Sequence, residues 1–215
     1  PDRNTNYFGQ RGYKHDISDH WEDNIHQVLE TMRDLIREGK IKHVGLSNET
    51  PWGTMRFLEE SEVHVTLPRT ITVQNPYSLL NRLFEVGMSE IAMREQVGLL
   101  AYSPMGFGAL SGKYLGDRMP EGSRLSLFPQ YNRYIGDTAV EATKKYYELA
   151  QANGITLAQM ALTFVNTRPF VTSTIIGATN LRQLEENIGS IDVTLSDDVL
   201  KEIEAIHGSI PNPAP

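Results

Sequence analysis

The spacing of apolar residues divides the chain into alternating helices and strands. Between residues 25 and 36, apolar side chains recur every three or four positions, which predicts an amphipathic helix that ends at Gly39. β-Branched and other apolar residues predict four strands, at residues 41–46, 70–73, 97–102 and 172–176. Further helices are predicted at about 52–61, 84–95, 137–152 and 157–166. A last helix of this series opens at Asn180, and its residues Leu181, Leu184 and Ile188 are expected to face the core.

This alternation is typical of parallel βαβ units, whose strands are covered on both faces. The pattern leaves open whether the strands form a barrel or a doubly wound sheet. A closed barrel needs eight strands and typically about 250 residues, whereas this chain supplies four strands in 215 residues. We therefore expect that the chain is part of a longer one, or that an unusual pairing closes it. No linker composition divides it, so residues 1–215 are predicted to form one domain, with an extended or frayed tail from Ile210.

Composition and charge exclude several classes of function. The net charge of -7 argues against general nucleic-acid binding. No apolar run approaches the roughly 20 residues that a membrane span needs, so no membrane association is expected. The absence of cysteine excludes disulfides and thiolate chemistry, and a cytoplasmic location is the default expectation. The six histidines show no paired spacing with carboxylates, so no metal site is predicted.

Polar residues follow all four predicted strands, at the ends where α/β folds bind ligands. They are Ser47 and Asn48, Gln74 and Asn75, Tyr102 and Ser103, and Gly177 with Thr179. Each of these alone is more typical of a turn or a helix cap than of a ligand site, and that alternative stays open. Four such ends in succession favour a ligand site.

Three cations in the second half of the chain are candidates for binding a phosphate. Lys113 ends a glycine-bearing loop that starts at Ser103, whose N–H groups could approach an anion. Arg182 lies in the first turn of the helix opened by Asn180, where an anion bound at the helix N-terminus would offset its unfavourable interaction with the helix dipole. Arg124 lies in the long segment between them. Ordinary solvent-facing side chains remain the alternative for all three.

Taken together, these segments resemble the aldo-keto reductase family. The resemblance rests on GKIKHVGLSNET at 39–50, TVQNPYSLLNR at 72–82, LLAYSPMGFG at 99–108, LSGKY at 110–114 and GATNLRQLEEN at 177–187. Within the family, the chain is most similar to the Tas-like branch, with potassium-channel β subunits as more distant relatives. The resemblance implies a (β/α)8 barrel that binds NADP(H), of which this chain supplies about the last four βα units and the C-terminal helix.

The resemblance also assigns cofactor-binding roles to individual residues. The nicotinamide side is implied for Ser47, Asn48, Gln74 and Tyr102. The pyrophosphate is implied to be bound by Ser103, Pro104, Met105, Gly106 and Lys113, with help from Arg124. The ribose 2′-phosphate and adenine are implied to contact Gly177, Thr179, Arg182, Gln183, Glu186 and Asn187.

The implied activity is reduction of an aldehyde or ketone to an alcohol by hydride transfer from NADPH in the intact protein. The family's catalytic Asp, Tyr, Lys and His are expected before Pro1, so no catalytic residue is predicted in this chain and we expect it to be inactive alone. Expected partners are a small carbonyl substrate and the N-terminal half of the barrel, and oligomerisation stays open. The alternative is an NADPH-binding regulatory or interaction subunit without significant turnover.

Overall fold

The structure is a computed structural model that describes residues 12–13 and 22–215. Helices and strands alternate along the described chain in the order α1 (Ile25–Arg37), β1 (Val44–Ser47), α2 (Pro51–Val63), β2 (Thr70–Pro76), α3 (Met88–Arg94), β3 (Gly98–Tyr102), α4 (Arg124–Leu127), α5 (Asp137–Ala152), α6 (Leu157–Asn166), β4 (Val171–Thr174), α7 (Leu181–Gly189) and α8 (Asp197–Ser209). Short 3-10 helices cover Leu83–Glu85, Gly106–Ser111, Asn132–Ile135 and Ser190–Asp192. No helix within these described ranges is both long and apolar enough to cross a membrane.

The helix and strand predictions are confirmed with one exception. Helices α5 and α6 have the predicted bounds, and Thr156 caps α6 through a capping box with Gln159. The exception is the helix predicted at 84–95, which is split in two. Gly87 has a φ of +90°, a left-handed value that interrupts a right-handed helix. The segment therefore forms the 3-10 turn Leu83–Glu85 and the shorter α3.

The strands form a sheet in the order β1-β2-β3-β4. β1 and β2 are parallel, with Leu46 opposite Val73 and Ser47 opposite Gln74. β4 is followed by Ile175, whose N–H donates to the carbonyl of Ala101 in β3 at 2.8 Å. The alternation of helices with parallel strands confirms the α/β class.

The described chain divides into two compact units. Unit 1 consists of the described residues up to Asn75 together with Phe84–Leu100, and unit 2 consists of Pro76–Leu83 together with Ala101–Pro215. β3 runs from unit 1 into unit 2. The single domain expected from the sequence stays a prediction.

Each unit has its own apolar core. In unit 1, Ile25 and Leu29 of α1 pack with Phe57 of α2 and with Leu67. In unit 2, most residues of α6 are buried, and the ring of Phe164 stacks on the buried Tyr77 with 6.1 Å between centroids. These cores fix α1 and α2 in unit 1 and α6 in unit 2.

The tail beyond Ile210 was predicted to be extended or frayed, and its hydrogen bonds contradict the frayed alternative. Asn212 Oδ1 accepts a hydrogen bond from the Arg82 N–H at 2.6 Å. The Ala214 N–H donates to the carbonyl of Leu80 at 3.1 Å, and Ala214 is buried. The tail is irregular in conformation, but these hydrogen bonds hold Asn212 and Ala214 in place.

One face of α7 is also oriented differently from the prediction. Leu181, Leu184 and Ile188 were expected to face the core, yet they are 75%, 38% and 57% exposed. α7 buries its other side, where Asn187 is buried and is followed by the buried Ser190, whose carbonyl accepts from Thr163 of α6. The helical period identified an amphipathic helix but not which of its faces is covered.

This exposed stripe leads to a prediction about the 215-residue chain expressed alone. Exposed aliphatic side chains bind apolar dyes and promote self-association. We expect the chain to bind the dye ANS strongly and to elute early from a size-exclusion column. Replacing Leu181 and Ile191, each 75% exposed, with serine should reduce both effects and leave the thermal midpoint within a few degrees, because neither side chain is in the core.

The matched control is Leu162→Ser in α6, a fully buried position, which should lower the thermal midpoint instead. A monomeric unsubstituted chain with weak dye binding would contradict the expectation.

Candidate functional site

Two strands end in residues with left-handed backbone conformation. Asn48 follows β1 in unit 1 with a φ of 52°, and Ser103 follows β3 in unit 2 with a φ of 54°. Left-handed conformations are uncommon for residues other than glycine and occur often at functional sites. The Asn48 N–H donates to the carbonyl of Gln74 at 2.9 Å, which fixes the turn after β1. The structure therefore brings together the predicted residues Asn48 and Gln74 in unit 1, and Ser47 is the exposed last residue of β1.

In unit 2, the glycine-bearing loop after Ser103 is tightly folded. The carbonyl of Met105 accepts hydrogen bonds from the N–H groups of Gly108 and Leu110. Gly106 has a φ of +51°, and a Cβ there would lie 3.0 Å from the ring of Tyr134. Gly108 has a φ of +92°, and a Cβ there would lie 2.9 Å from Nζ of Lys113. The two glycines thus allow the loop to pack on Tyr134 and the Lys113 ammonium to lie against the loop backbone.

Two tyrosines and an arginine form the polar centre of this loop cluster. The Tyr134 hydroxyl accepts a hydrogen bond from Arg133 Nη2 at 2.9 Å. Burial raises the pKa of Tyr102 to about 12, although the nearby Arg133 guanidinium opposes the shift. Burial likewise raises the pKa of Tyr134, against the same guanidinium and a hydrogen bond with Ser103. Both phenols are therefore neutral near neutral pH and act as hydrogen-bonding groups.

Arg124, the first residue of α4, lies over aromatic rings. Its guanidinium carbon is 4.3 Å from the ring centroid of Phe107 and 5.6 Å from that of Tyr131. Such stacking orients a guanidinium while its N–H donors remain available. Phe107 itself has a φ of 53° and belongs to the glycine-bearing loop. The structure therefore places Arg124 against the loop that the sequence connected with phosphate binding.

The other predicted cluster surrounds the N-terminus of α7. Asn180 caps the helix by accepting from the Gln183 N–H at 3.0 Å. Gln183 Oε1 accepts from both the N–H and the hydroxyl of Thr179, each at 3.0 Å. Arg182 is exposed in the first turn of the same helix. The predicted residues Thr179, Arg182 and Gln183 are thus neighbours on a preformed helix cap.

The remaining predicted residues on α7 have partners within unit 2. Asn187 is buried, and its Nδ2 donates to the carbonyl of the exposed Gly177 at 3.2 Å. Glu186 Oε1 accepts from the hydroxyl of Thr156 at 2.6 Å. Asn187 therefore fixes the chain that leads from β4 into α7, and Glu186 ties α7 to the start of α6.

The three predicted cations differ in ion pairing from most other lysines and arginines of the described chain. Lys113, Arg124 and Arg182 have no ion-pair partner within the described parts of the chain, whereas arginines such as Arg56 and Arg94 are paired with carboxylates. An unpaired guanidinium or ammonium can interact strongly with a phosphate, because no internal carboxylate competes for its donors. The loop and the N-terminus of α7 are each suited to bind an anion.

The sequence reading missed Arg133 and Tyr134. The structure places Arg133 between Tyr102, Tyr134 and the carbonyl of Pro215, which accepts from its Nη1 at 3.3 Å. The available signal was the density of arginine and aromatic residues between Arg124 and Tyr134. That density does not show which ring each guanidinium contacts.

Comparisons with known proteins agree with this architecture. The model of the aldo/keto reductase family matches residues 4–207. The chain is 47% identical over 220 residues to protein tas of Escherichia coli strain K12, covering all of this chain and 62% of that relative. It is 41% identical over 192 residues to an aldo-keto reductase of Babesia bovis, covering 85% of this chain and 67% of that protein.

A third relative is the aldo-keto reductase yakc of Schizosaccharomyces pombe, whose name carries the label NADP(+). It is 29% identical over 180 residues, covering 83% of this chain and 52% of yakc. The chain belongs to the aldo/keto reductase family. The family fold is a (β/α)8 barrel, of which the four strands and the C-terminal helix α8 of this chain form a part.

The raised pKa of Tyr102 predicts a pH-dependent change in stability. Tyrosines of an unfolded chain ionise near pH 10, whereas folded Tyr102 holds its proton up to about pH 12. The unfolded state therefore loses this proton first, and the free energy of unfolding should fall as the pH rises from about 10 to about 12. Tyr102→Phe should show a smaller fall in urea unfolding experiments over this interval.

The free energies of unfolding of both proteins are also compared near neutral pH. There the phenol of Tyr102 is protonated in the folded and the unfolded state, so the difference measures only the loss of its hydroxyl contacts. Identical pH slopes for the two proteins would contradict the assignment.

Proposed function

We propose that the protein to which this chain belongs is an oxidoreductase that reduces an aldehyde or ketone to an alcohol with NADPH. The observation that carries this proposal is the match of the aldo/keto reductase family along residues 4–207. The chain spans 62% of the length of protein tas, so the activity is proposed for the whole protein and not for these residues alone.

The residues of unit 2 fit the phosphates of a dinucleotide. An NADP(H) molecule carries a pyrophosphate and a 2′-phosphate, and each needs cations and N–H donors. The loop offers Lys113, Arg124, the Ser103 hydroxyl and backbone N–H groups, and α7 offers Arg182 and its N-terminal N–H groups. The groups that would hold the pyrophosphate are Ser103, Pro104, Met105, Gly106, Lys113 and Arg124. Those that would hold the adenosine side are Gly177, Thr179, Arg182, Gln183, Glu186 and Asn187.

In unit 1, the side chains of Asn48 and Gln74 have the donors and acceptors that suit a carboxamide. An amide side chain offers one acceptor oxygen and two N–H donors, which complement the same groups of nicotinamide. The left-handed turn at Asn48 and the hydrogen bond from its backbone N–H to the carbonyl of Gln74 would fix the backbone from which these two side chains extend. We assign the nicotinamide carboxamide to Ser47, Asn48 and Gln74. Separately, the family resemblance implies a contact of Tyr102 with the nicotinamide ring.

The chain is proposed to bind and orient the cofactor without supplying the proton. NADPH, when bound, supplies the hydride. A general acid works best when its pKa is near the operating pH. The pKa of Tyr102 is raised by burial to about 12, so this phenol is a poor proton donor near neutral pH. We therefore propose that Tyr102 is not the proton donor. From the family resemblance we also propose that the chain alone has no significant turnover.

The function is tested by assaying the complete open reading frame that contains this chain. NADPH oxidation is followed by absorbance with a panel of aromatic aldehydes, short-chain aldehydes and dicarbonyls. We expect turnover of at least one class by the complete protein and none by the 215-residue chain, in which no proton donor is proposed. If the complete protein binds NADPH but reduces no carbonyl compound, the enzyme hypothesis is wrong. The result would then support an NADPH-binding regulatory or interaction subunit.

Cofactor preference gives an independent prediction. A guanidinium that contacts a phosphate contributes about 1.5 to 3 kcal/mol, roughly tenfold or more in affinity. Arg182→Ala in the complete protein should raise the dissociation constant for NADPH at least about tenfold and that for NADH much less, because only NADPH has the 2′-phosphate. If Arg124 contacts the pyrophosphate, Arg124→Ala should weaken the binding of both NADPH and NADH. If it reaches the 2′-phosphate, the substitution should reduce the difference between the two dissociation constants.

Isothermal titration with both cofactors measures these constants. Arg94→Ala is the matched control, because this exposed arginine in unit 1 is paired with Glu90 at 2.7 Å. Equal dissociation constants for NADPH and NADH in the unsubstituted protein would contradict the proposed preference for NADP(H).

A further inference from the structure

Two histidines and a glutamate of unit 1 meet on the outer side of two packed helices. His26 Nδ1 lies 2.6 Å from Glu60 Oε1, and His64 Nε2 lies 3.3 Å from the same oxygen. The two imidazole rings are edge to face, with centroids 4.7 Å apart. One ligand atom from each of the three residues lies within 4.8 Å of the other two.

The backbone beneath this cluster is fixed by the core of unit 1. His26 belongs to α1, Glu60 belongs to α2, and His64 is the residue that caps the C-terminus of α2. Ile25 and Leu29 of α1 pack against Phe57 of α2. A site whose ligands project from packed helices is held more precisely than one on loops. The three side chains therefore converge because of the fold and not because of a flexible loop.

The ligand types and their spacing suit a divalent transition-metal ion. Two imidazole nitrogens and one carboxylate oxygen form a recurrent set for Zn²⁺, which binds them at about 2.0–2.2 Å. Around a tetrahedral ion at these bond lengths, ligand atoms lie about 3.4 Å apart. The separation of 3.3 Å between His64 and Glu60 already fits, whereas the 2.6 Å between His26 and Glu60 is a hydrogen bond that must widen by rotation of the side chains.

The surroundings also favour a cation. Glu60 is 17% exposed and faces both imidazoles, so an ion there would neutralise a largely buried carboxylate. Glu30 Oε1 lies 3.9 Å from Nε2 of His26, the ring nitrogen that Glu60 does not contact. In metal sites, the second nitrogen of a ligating histidine usually faces a carboxylate or carbonyl, which orients the ring. Glu30 lies on that side of the ring, beyond hydrogen-bond distance, and its Oε1 accepts from Arg33 Nη1 at 3.3 Å.

We propose that His26, Glu60 and His64 form a binding site for Zn²⁺ or a similar divalent transition-metal ion that joins α1 to α2. The fourth position of a tetrahedral ion would be completed by water. The site shares no residue with the groups proposed for NADP(H), and it was missed in the sequence because His26 is 34 positions from Glu60. The ion would stabilise unit 1, since a ligand that binds the folded state shifts the unfolding equilibrium.

The site is tested with the purified complete protein from which any affinity tag has been removed. Co²⁺ is titrated as a spectroscopic probe, because imidazole and carboxylate ligation in tetrahedral geometry gives intense visible absorption bands. Zn²⁺ is then titrated by calorimetry, and thermal unfolding is measured with and without Zn²⁺. We expect one ion per chain, tetrahedral Co²⁺ bands that Zn²⁺ displaces, and a Zn²⁺-dependent rise in the thermal midpoint.

Each ligand is then replaced in turn. His26→Ala, His64→Ala and the isosteric Glu60→Gln should each weaken Zn²⁺ binding by more than about tenfold and abolish the thermal shift. The control is His43→Ala, an exposed histidine just before β1, which should leave both unchanged. Glu60→Gln keeps the size of the side chain, so it tests ligation even if an alanine variant folds poorly.

Two results would overturn the proposal. Zn²⁺ binding that survives in a His26→Ala, His64→Ala double variant would place the ion elsewhere. The absence of Co²⁺ bands and of any thermal shift in the unsubstituted protein would show that the cluster is a hydrogen-bonded tie between the two helices and nothing more. NADPH binding by the complete protein is measured in parallel. Failure to bind NADPH would contradict the proposed function and would not bear on this metal site.

Discussion

The strands of a parallel sheet need apolar cover on both faces, and this requirement governs what the chain buries and exposes. Val73 of β2 and Leu99 of β3 are fully buried in their strands. Ile71 of β2, however, is 42% exposed, and Ile175, which follows β4, is 39% exposed. In a (β/α)8 barrel such side chains are packed by residues from the other strands around the interior. These partly exposed side chains belong to a chain that spans 62% of the length of protein tas.

The arginines of the described residues differ in whether a carboxylate or carbonyl group contacts them. Most arginines of the described chain contact carboxylates or carbonyl groups, either within one helix, as Arg94 does with Glu90, or between elements. Arg82, for example, is buried and lies 3.0 Å from Glu204 of α8, with its guanidinium stacked on Phe164 of α6. Arg124 is stacked on aromatic rings but has no carboxylate partner in the described residues. Its position is thus fixed by packing, while its charge stays available for an anion.

The sequence predicted what depends on local periodicity and missed what depends on distant contacts. The bounds of α5 and α6 follow from apolar spacing and caps, and both were predicted residue for residue. The docked tail depends on a hydrogen bond between Asn212 and Arg82, which are 130 positions apart. No local pattern encodes such a pair. The covered face of α7 likewise depends on α6, a partner that the period of α7 does not identify.

The residues of the candidate site also differ in whether the sequence alone could identify them. Lys113, Arg124 and Arg182 could be identified because cations next to glycine loops and helix starts are local signals. Arg133 and Tyr134 could not, since their role depends on the packing of the loop after β3. The cluster of His26, Glu60 and His64 joins two helices, so only the fold brings its ligands together.

The cap of α7 has a further consequence for the kinetics of ligand binding. Thr179, Asn180 and Gln183 are already joined by hydrogen bonds before any ligand arrives. The conformational entropy of these side chains is lost during folding, so little of it remains to be lost in the complex. A phosphate that takes the Thr179 hydroxyl would exchange one acceptor for another, and its arrival would require no rearrangement of the backbone. If the proposed dinucleotide binds at this helix end, its association should thus be limited by diffusional encounter and long-range attraction, and differences in affinity between nucleotides should arise mainly in their rates of dissociation.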